Sequence, residues 1–171
     1  MYLVFAISAA VLLLLWAAVR GRSAQVRDLR SAQEAIVPVD LEAFRNLIDP
    51  QQDRFLREHL GTRDFRRVQR LRYLAVAEYL RQVARNAGVI LRVGESARAS
   101  HEASVVSLGS DLASAAIAVR LYCLLALAQA YGGVLLPGMG VSVGTVADSY
   151  DRLTAKLWAI SRSGTPVRNA S

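Results

Sequence analysis

Residues 63–98 read RDFRRVQRLRYLAVAEYLRQVARNAGVILRVGESAR, a stretch of 36 residues that contains no proline. At about 100° per residue, its side chains divide between two sides of a single helix. One side is apolar and carries Phe65, Val68, Val76, Tyr79, Val83, Ala87, Ile90 and Gly94. The opposite side is an arginine stripe, defined by seven residues within an arc of roughly 100°: Arg63, Arg66, Arg67, Arg70, Arg81, Arg85 and Arg92. The stretch therefore predicts one long amphipathic helix whose apolar side is buried.

Shorter helices are predicted before this stretch. Asp40 is placed to cap a short helix, and Asp49 with Pro50 at the first helical position is a typical start for another. That second helix is expected to end at Gly61, and Thr62 is expected to cap the long helix.

A second long helix is predicted after a polar hinge at residues 100–102. Residues 103–136 have a helical pattern, and residues 146–162 form the last predicted helix after a glycine-rich turn. Because no run of strand-like segments occurs, the expected fold class is all-α. We expect one N-terminal transmembrane helix followed by a helical bundle, which is dominated by a long antiparallel pair, 63–98 against 103–136.

The N-terminal segment has the composition of a membrane anchor. Residues 2–19 read YLVFAISAAVLLLLWAAV and carry no charge, and as a helix they would extend roughly 27 Å, close to the hydrocarbon thickness of a bilayer. Arg20 and Arg22 follow directly, whereas no basic side chain precedes the segment. We expect an uncleaved single-pass signal anchor with the N-terminus outside and the C-terminal domain in the cytoplasm. A buried core helix is the alternative for this segment.

The predicted organisation has four parts. Residues 1–20 are the transmembrane anchor, 21–38 are a basic juxtamembrane segment, 39–162 are the cytoplasmic α-helical domain, and 163–171 are a flexible tail.

The composition limits the chemistry that this chain can perform. A hydrophobic fraction of 53% excludes a disordered chain. The chain has 21 basic and 14 acidic side chains, which give a net charge of +7, and all of the basic residues except Lys156 are arginine. This bias is typical of a GC-rich bacterial genome, so we expect the predicted anchor to lie in the bacterial inner membrane. Cys123 is the single cysteine, and with His59 and His101 it is too small a set for a Cys/His metal site. No metal or cofactor is expected.

The arginine stripe has more than one interpretation. It is either the solvated side of a packed helix, a contact for anionic lipid headgroups, or a contact for an acidic protein. Nucleic acid is disfavoured, because a single-strand platform places aromatic side chains beside its basic groove, whereas Phe65 and Tyr79 lie on the opposite side. The oligomeric state is not defined by the sequence.

Arg72 is an exception, because it projects from the apolar side of the long helix. A buried arginine needs a partner, and Asp111 in the second long helix is one hypothesis for a buried ion pair.

A second apolar segment, residues 112–143, leaves the number of membrane spans open. Residues 121–147 contain no charged side chain. The helix is either buried in the bundle, inserted as a second membrane span, or a re-entrant or interfacial segment. Arg120 near the centre of a span would cost about 2.5–3.5 kcal/mol on an insertion scale.

One enzymatic motif occurs, a G-x-S-x-G pattern at residues 140–144 with Ser142 in the nucleophile position. A hydrolase of that class places its histidine after the serine, and here no histidine follows His101. We therefore expect no catalytic residue. The sequence favours a membrane-anchored, non-enzymatic scaffold, adaptor or accessory subunit of a membrane complex. The alternatives are a two-span integral subunit of a transport or assembly complex and, third, a hydrolase that uses Ser142.

Overall fold

The computed structural model describes residues 34–135 and 144–162, and over these residues the chain is helical without any strand. The five helices are α1 (Leu41–Leu47), α2 (Pro50–His59), α3 (Thr62–Arg98), α4 (Ala103–Leu135) and α5 (Gly144–Arg162). The all-α fold class is confirmed for this part of the chain. The predicted anchor at residues 1–20 and the predicted tail at 163–171 lie outside the described residues, as does most of the juxtamembrane segment.

The first two helices begin at the predicted acidic caps. The Asp40 side chain accepts a hydrogen bond from the backbone N–H of Ala43 at 2.9 Å. Asp49 does the same for Gln51 at 2.9 Å, with Pro50 as the first helical residue. The prediction for α3 is wrong in detail, because Thr62 is its first helical residue, and the preceding glycine is a cap without a side-chain hydrogen bond.

The two long helices, α3 and α4, are joined by residues 99–102 and pack directly against each other. Near this connection, a Cβ added to Gly94 would lie 2.8 Å from the backbone oxygen of Gly109. At the other end, a Cβ added to Gly133 would lie 2.6 Å from the ring of Tyr73. Contacts at both ends show that α4 lies along α3 over most of its length, with the two backbones close together near the connection.

The hydrophobic core lies between α3, α4 and α5, with one side chain, Phe44, contributed by α1. Six of the eight residues predicted for the apolar side of α3 are buried, and only Val68 and Tyr79 are half-buried. Burial of each large aliphatic side chain, such as Leu80 or Leu153, contributes roughly 1.5–3 kcal/mol to stability. The periodicity of apolar residues in α3 therefore correctly predicts which side of the helix lies in the core.

A buried asparagine fastens the segment before α1 to the bundle. The Asn86 side chain, in a residue that is 1% exposed, accepts from the backbone N–H of Val37 at 3.2 Å and donates to the carbonyl of Val37 at 2.7 Å. It also donates to the Tyr150 hydroxyl at 2.7 Å and accepts from Gln82 at 3.0 Å. All four hydrogen-bonding positions of the amide are therefore used, and they join α3, α5 and the entering chain.

The outer side of α4 is apolar and only partly covered. Ile117, Leu121 and Leu125 are 47%, 46% and 64% exposed, and we call these three residues the outer stripe. Among the described residues, one helix is long and apolar enough to cross a membrane, at Ala103–Val134. One such helix is weak support for a membrane span, because the core helix of a soluble bundle has the same composition.

Candidate functional surface

The arginine stripe lies on α3, on the side that faces away from the core. Six of its seven side chains are exposed, and Arg92 is half-buried, with an Nε atom that has no hydrogen-bond partner in the described part of the chain. Their environments differ along the helix. Some of the arginines are engaged, which means that they form ion pairs with a neighbouring carboxylate, and others form none with the described residues.

Arg81 and Arg85 are engaged by neighbouring groups. Both form ion pairs with Glu78, at 2.7 Å and 3.3 Å respectively. Hydrogen bonds from Arg81 and then from Arg85 lower the pKa of the Glu78 carboxyl, which therefore stays ionised to lower pH than an isolated glutamate. The Arg81 guanidinium also donates to the Tyr131 hydroxyl and lies 5.7 Å from the centroid of that ring. These contacts join the middle of the stripe to α4.

The first part of the stripe is different. Four of its exposed side chains form no ion pair with any described residue, and we call them the free arginine cluster: Arg63, Arg66, Arg67 and Arg70. All four project from the first turns of α3 because their spacing of three, one and three residues keeps them on one side of the helix. Planar guanidinium groups with unused donors are suited to phosphate or carboxylate.

Two exposed leucines lie beside the free arginine cluster. Leu71 is 61% exposed and Leu74 is 47% exposed. Each follows an arginine of the cluster by four residues, Arg67 and Arg70 respectively, and so lies on the same side of the helix. The surface is therefore both basic and apolar. Sequence reasoning missed both leucines, although the helical period alone places Leu74 inside the arginine arc.

Arg72 forms its ion pair with Asp53 and not with Asp111. Its Nη1 atom lies 2.7 Å from Asp53 Oδ1, a close charge contact whose angle is not that of a hydrogen bond, and its Nη2 donates to the Leu47 carbonyl at 2.7 Å. Asp111 is exposed on α4 at the level of Gly94, which is 22 residues, or about 33 Å, along α3 from Arg72. The register of the two long helices therefore keeps Asp111 away from Arg72, and the predicted ion pair between them is wrong.

The helix α2 has no buried residue, so apolar packing contributes little to its position. Polar contacts such as the Arg72–Asp53 ion pair join it to α3. Gln69 of α3 donates to Asp53 at 2.8 Å, and the Arg57 guanidinium lies 5.2 Å from the centroid of the Phe65 ring. The pocket beside Arg72 has a cavity volume of about 30 Å³, which is enough for ordered water.

The described residues offer little else for chemistry. Neither a cluster of three His, Cys, Asp or Glu side chains with metal-binding geometry nor an exposed cysteine occurs in residues 34–135 and 144–162. His59 stacks on Phe55 at 4.1 Å, and its Nδ1 lies 2.8 Å from the Phe55 carbonyl oxygen. Ser142 lies outside the described residues.

No protein family, curated protein or solved structure matches this chain. Among the described residues, the free arginine cluster and its two leucines form the candidate functional surface.

Proposed function

We propose that this chain is a membrane-anchored, non-enzymatic helical protein that acts as a scaffold, adaptor or accessory subunit of a membrane complex. In this proposal residues 1–20 form the anchor, and the bundle presents α3 and α4 as an antiparallel pair on the cytoplasmic side. The free arginine cluster contacts anionic lipid headgroups. The observation that carries the proposal is that four exposed arginines without a carboxylate partner among the described residues lie beside two exposed leucines.

Lipid is favoured over an acidic protein by the combination of charge and apolar surface. A basic side chain close to an acidic leaflet contributes about 1 kcal/mol, and leucine side chains bury their surface at the boundary between headgroups and acyl chains. An anchor in the same chain also raises the effective concentration of the bundle at the bilayer, so that weak contacts are sufficient. An acidic protein would engage the charge without requiring Leu71 and Leu74.

We expect the free arginines, and not the engaged ones, to control this contact. The test compares Arg66→Gln/Arg70→Gln with Arg81→Gln/Arg85→Gln, two double variants of equal charge change. The full chain carries an environment-sensitive fluorophore on Leu74→Cys in a Cys123→Ala background, reconstituted in phosphatidylcholine vesicles with or without phosphatidylglycerol. The fluorophore emission should shift to the blue only with the anionic lipid, and the first double variant should lose most of this shift.

The second double variant serves as the matched control. This variant removes the same number of charges and also leaves Glu78 without its partners. If the blue shift responded to net charge alone, it would fall at least as much in this variant as in Arg66→Gln/Arg70→Gln. Added salt should reduce the shift, because exposed charges are screened beyond about 8 Å at physiological ionic strength. Equal losses in the two double variants, or an unshifted emission in anionic vesicles, would contradict the proposal.

A two-span integral subunit is the second candidate, favoured by the apolar composition of α4. Against it, α3 packs along α4 and carries Glu78, Arg81 and Arg85 on its outer side, so a spanning α4 would either lose α3 or bring these charges into the bilayer.

The side on which the C-terminus lies separates the two candidates. We expect a fluorescent protein fused after Ser171 to be active and an export-dependent phosphatase fused there to be inactive, because one span leaves the C-terminus in the cytoplasm. Phosphatase activity without fluorescence would establish the two-span alternative. A fusion after residue 33 provides the control, since both candidates place that point in the cytoplasm.

A further inference from the structure

The outer stripe of α4 is an exposed apolar surface that the proposed contact through α3 does not use. Ile117, Leu121 and Leu125 follow one another at four-residue spacing, so they form one row along the helix. No charged side chain occurs between Arg120 and the end of α4. Contiguous exposed apolar surface is a feature of interaction sites, and the side chains that border this row indicate the kind of partner.

The borders of the outer stripe have the chemistry of a membrane interface. Tyr122 and Tyr131 are 42% and 38% exposed at its edges, and tyrosine concentrates where apolar and aqueous regions meet. Because the Arg81 guanidinium lies over the Tyr131 ring, the arginine stripe adjoins this surface along the same pair of helices. The middle of the arginine stripe therefore contacts α4 at one border of the outer stripe.

The number of residues between the predicted anchor and Glu34 limits the distance between the bundle and the lipid surface. The apolar segment ends at residue 19, and the described part begins at Glu34. The 14 residues between them span at most about 49 Å when fully extended, and Asn86 fastens Val37 to the bundle. If residues 2–19 are in the bilayer, as the proposed function states, this connection holds Glu34 within about 49 Å of the lipid surface.

We propose that the outer stripe binds the bilayer surface, with α4 parallel to the membrane plane. This inference rests on the proposed anchor but adds a second lipid contact and an orientation. A shallow position is consistent with the packing, because the opposite side of α4 is covered by α3. Arg120 is only half-buried and lies near Arg92 and Glu95, so its guanidinium has polar surroundings outside the hydrocarbon.

The experiment measures the depth of nitroxide labels on the full chain in vesicles of phosphatidylcholine and phosphatidylglycerol. Labels are placed singly on Ile117→Cys, Leu121→Cys and Leu125→Cys in a Cys123→Ala background. We expect oxygen accessibility to rise severalfold, and accessibility to a water-soluble nickel complex to fall, relative to a label on Ala155→Cys. Ala155 is the control because it is exposed on α5, opposite the buried Leu153 and Leu157.

The relative depth of the labels distinguishes the possible occupants. Equal depth at residues 117 and 125 supports a helix parallel to the membrane. A depth difference of roughly 12 Å between them, the rise of eight helical residues, would instead establish a span and overturn the inference. Spin–spin broadening between singly labelled chains would overturn it in favour of a second copy of this chain.

Water-accessible labels at all three positions would also overturn the inference. The fluorophore on Leu74→Cys, read in the same vesicles, separates this failure from failure of the proposed function. If residue 74 responds to anionic lipid and the outer stripe stays in water, only the orientation of α4 is wrong. If neither responds, the lipid contact through α3 fails as well.

Discussion

Replacing Gly109 by valine is expected to lower the free energy of unfolding by about 3 kcal/mol, the upper end of the usual range for overpacking. A Cβ at this position would lie 2.7 Å from the backbone oxygen of Gly94, 2.8 Å from the Cβ of Ala97 and 2.9 Å from the backbone nitrogen of Arg98. Two of these three atoms belong to the backbone of α3, so no side-chain rotation relieves the contact. The helices must separate where they are closest, and the core beside them loses its packing.

The matched control is Gly88→Ala on α3. A Cβ there meets no atom within 4 Å, so the substitution only improves helix propensity and should stabilise the fold by up to about 1 kcal/mol. Urea unfolding of the full chain in detergent micelles, followed by helical circular dichroism, measures both changes. An unchanged unfolding midpoint for Gly109→Val would show that the two backbones are not in contact at this point.

Replacing Asn86 by alanine is expected to cost about 3 kcal/mol, because a buried polar group left without a partner costs roughly 1–3 kcal/mol. The substitution removes the donor to the buried Tyr150 hydroxyl and both partners of the Val37 backbone. It also leaves a cavity between α3 and α5. The matched control is Gln82→Ala, which removes a single bond to Asn86 from a half-buried position and should cost much less.

The same network predicts a pH dependence. Burial raises the pKa of the Tyr150 phenol above 10.0, and the hydrogen bond from Asn86 opposes this only in part. Because the folded state favours the neutral phenol, its contribution to stability is fully present below pH 10 and is lost as the pH rises through the pKa of the folded protein. Tyr150→Phe should flatten this part of the dependence of the free energy of unfolding on pH.

If Asn86→Ala and Gln82→Ala lower the free energy of unfolding equally, the hydrogen bonds of Asn86 to Val37 and Tyr150 do not stabilise the fold.

Local chemistry predicted the starts of the helices and the buried side of α3. Asp40 and Asp49 cap their helices through contacts within three residues, so the sequence contains the whole interaction. The apolar period of α3 is equally local. The role of Asn86 could not be predicted, because its hydrogen-bond partners Val37 and Tyr150 lie 49 and 64 residues away in the chain.

The partner of Arg72 could not be predicted from the same information. A charge on the apolar side of a helix requires a partner, but which carboxylate lies beside it depends on the relative positions of separate helices. Asp111 belongs to the helix that packs most extensively on α3, yet the register carries it to the far end. Asp53 belongs to a helix with no buried residue, and it reaches Arg72 because α2 lies across the start of α3.

The candidate surface was predictable in part. The seven arginines and the i,i+3 pair of Arg81 with Glu78 follow from helical geometry. The contact of Arg81 with Tyr131 does not, because Tyr131 lies 50 residues away in the chain. The apolar character of α4 was evident from the sequence, but the side that stays exposed was not. The packing of α3 and α5 on α4 decides that Cys123 is buried while Leu121 and Leu125 are not.

The order in which α3 and α4 leave the ribosome exposes the chain to a specific hazard during synthesis. The apolar side of α3 is complete before any residue of α4 has been made. At about 5–20 residues per second, the 33 residues of α4 require roughly 2–7 s. Throughout that interval the α4 partners of Leu80, Val83 and Ile90 are missing. Nascent α3 therefore exposes its apolar side until its neighbour emerges.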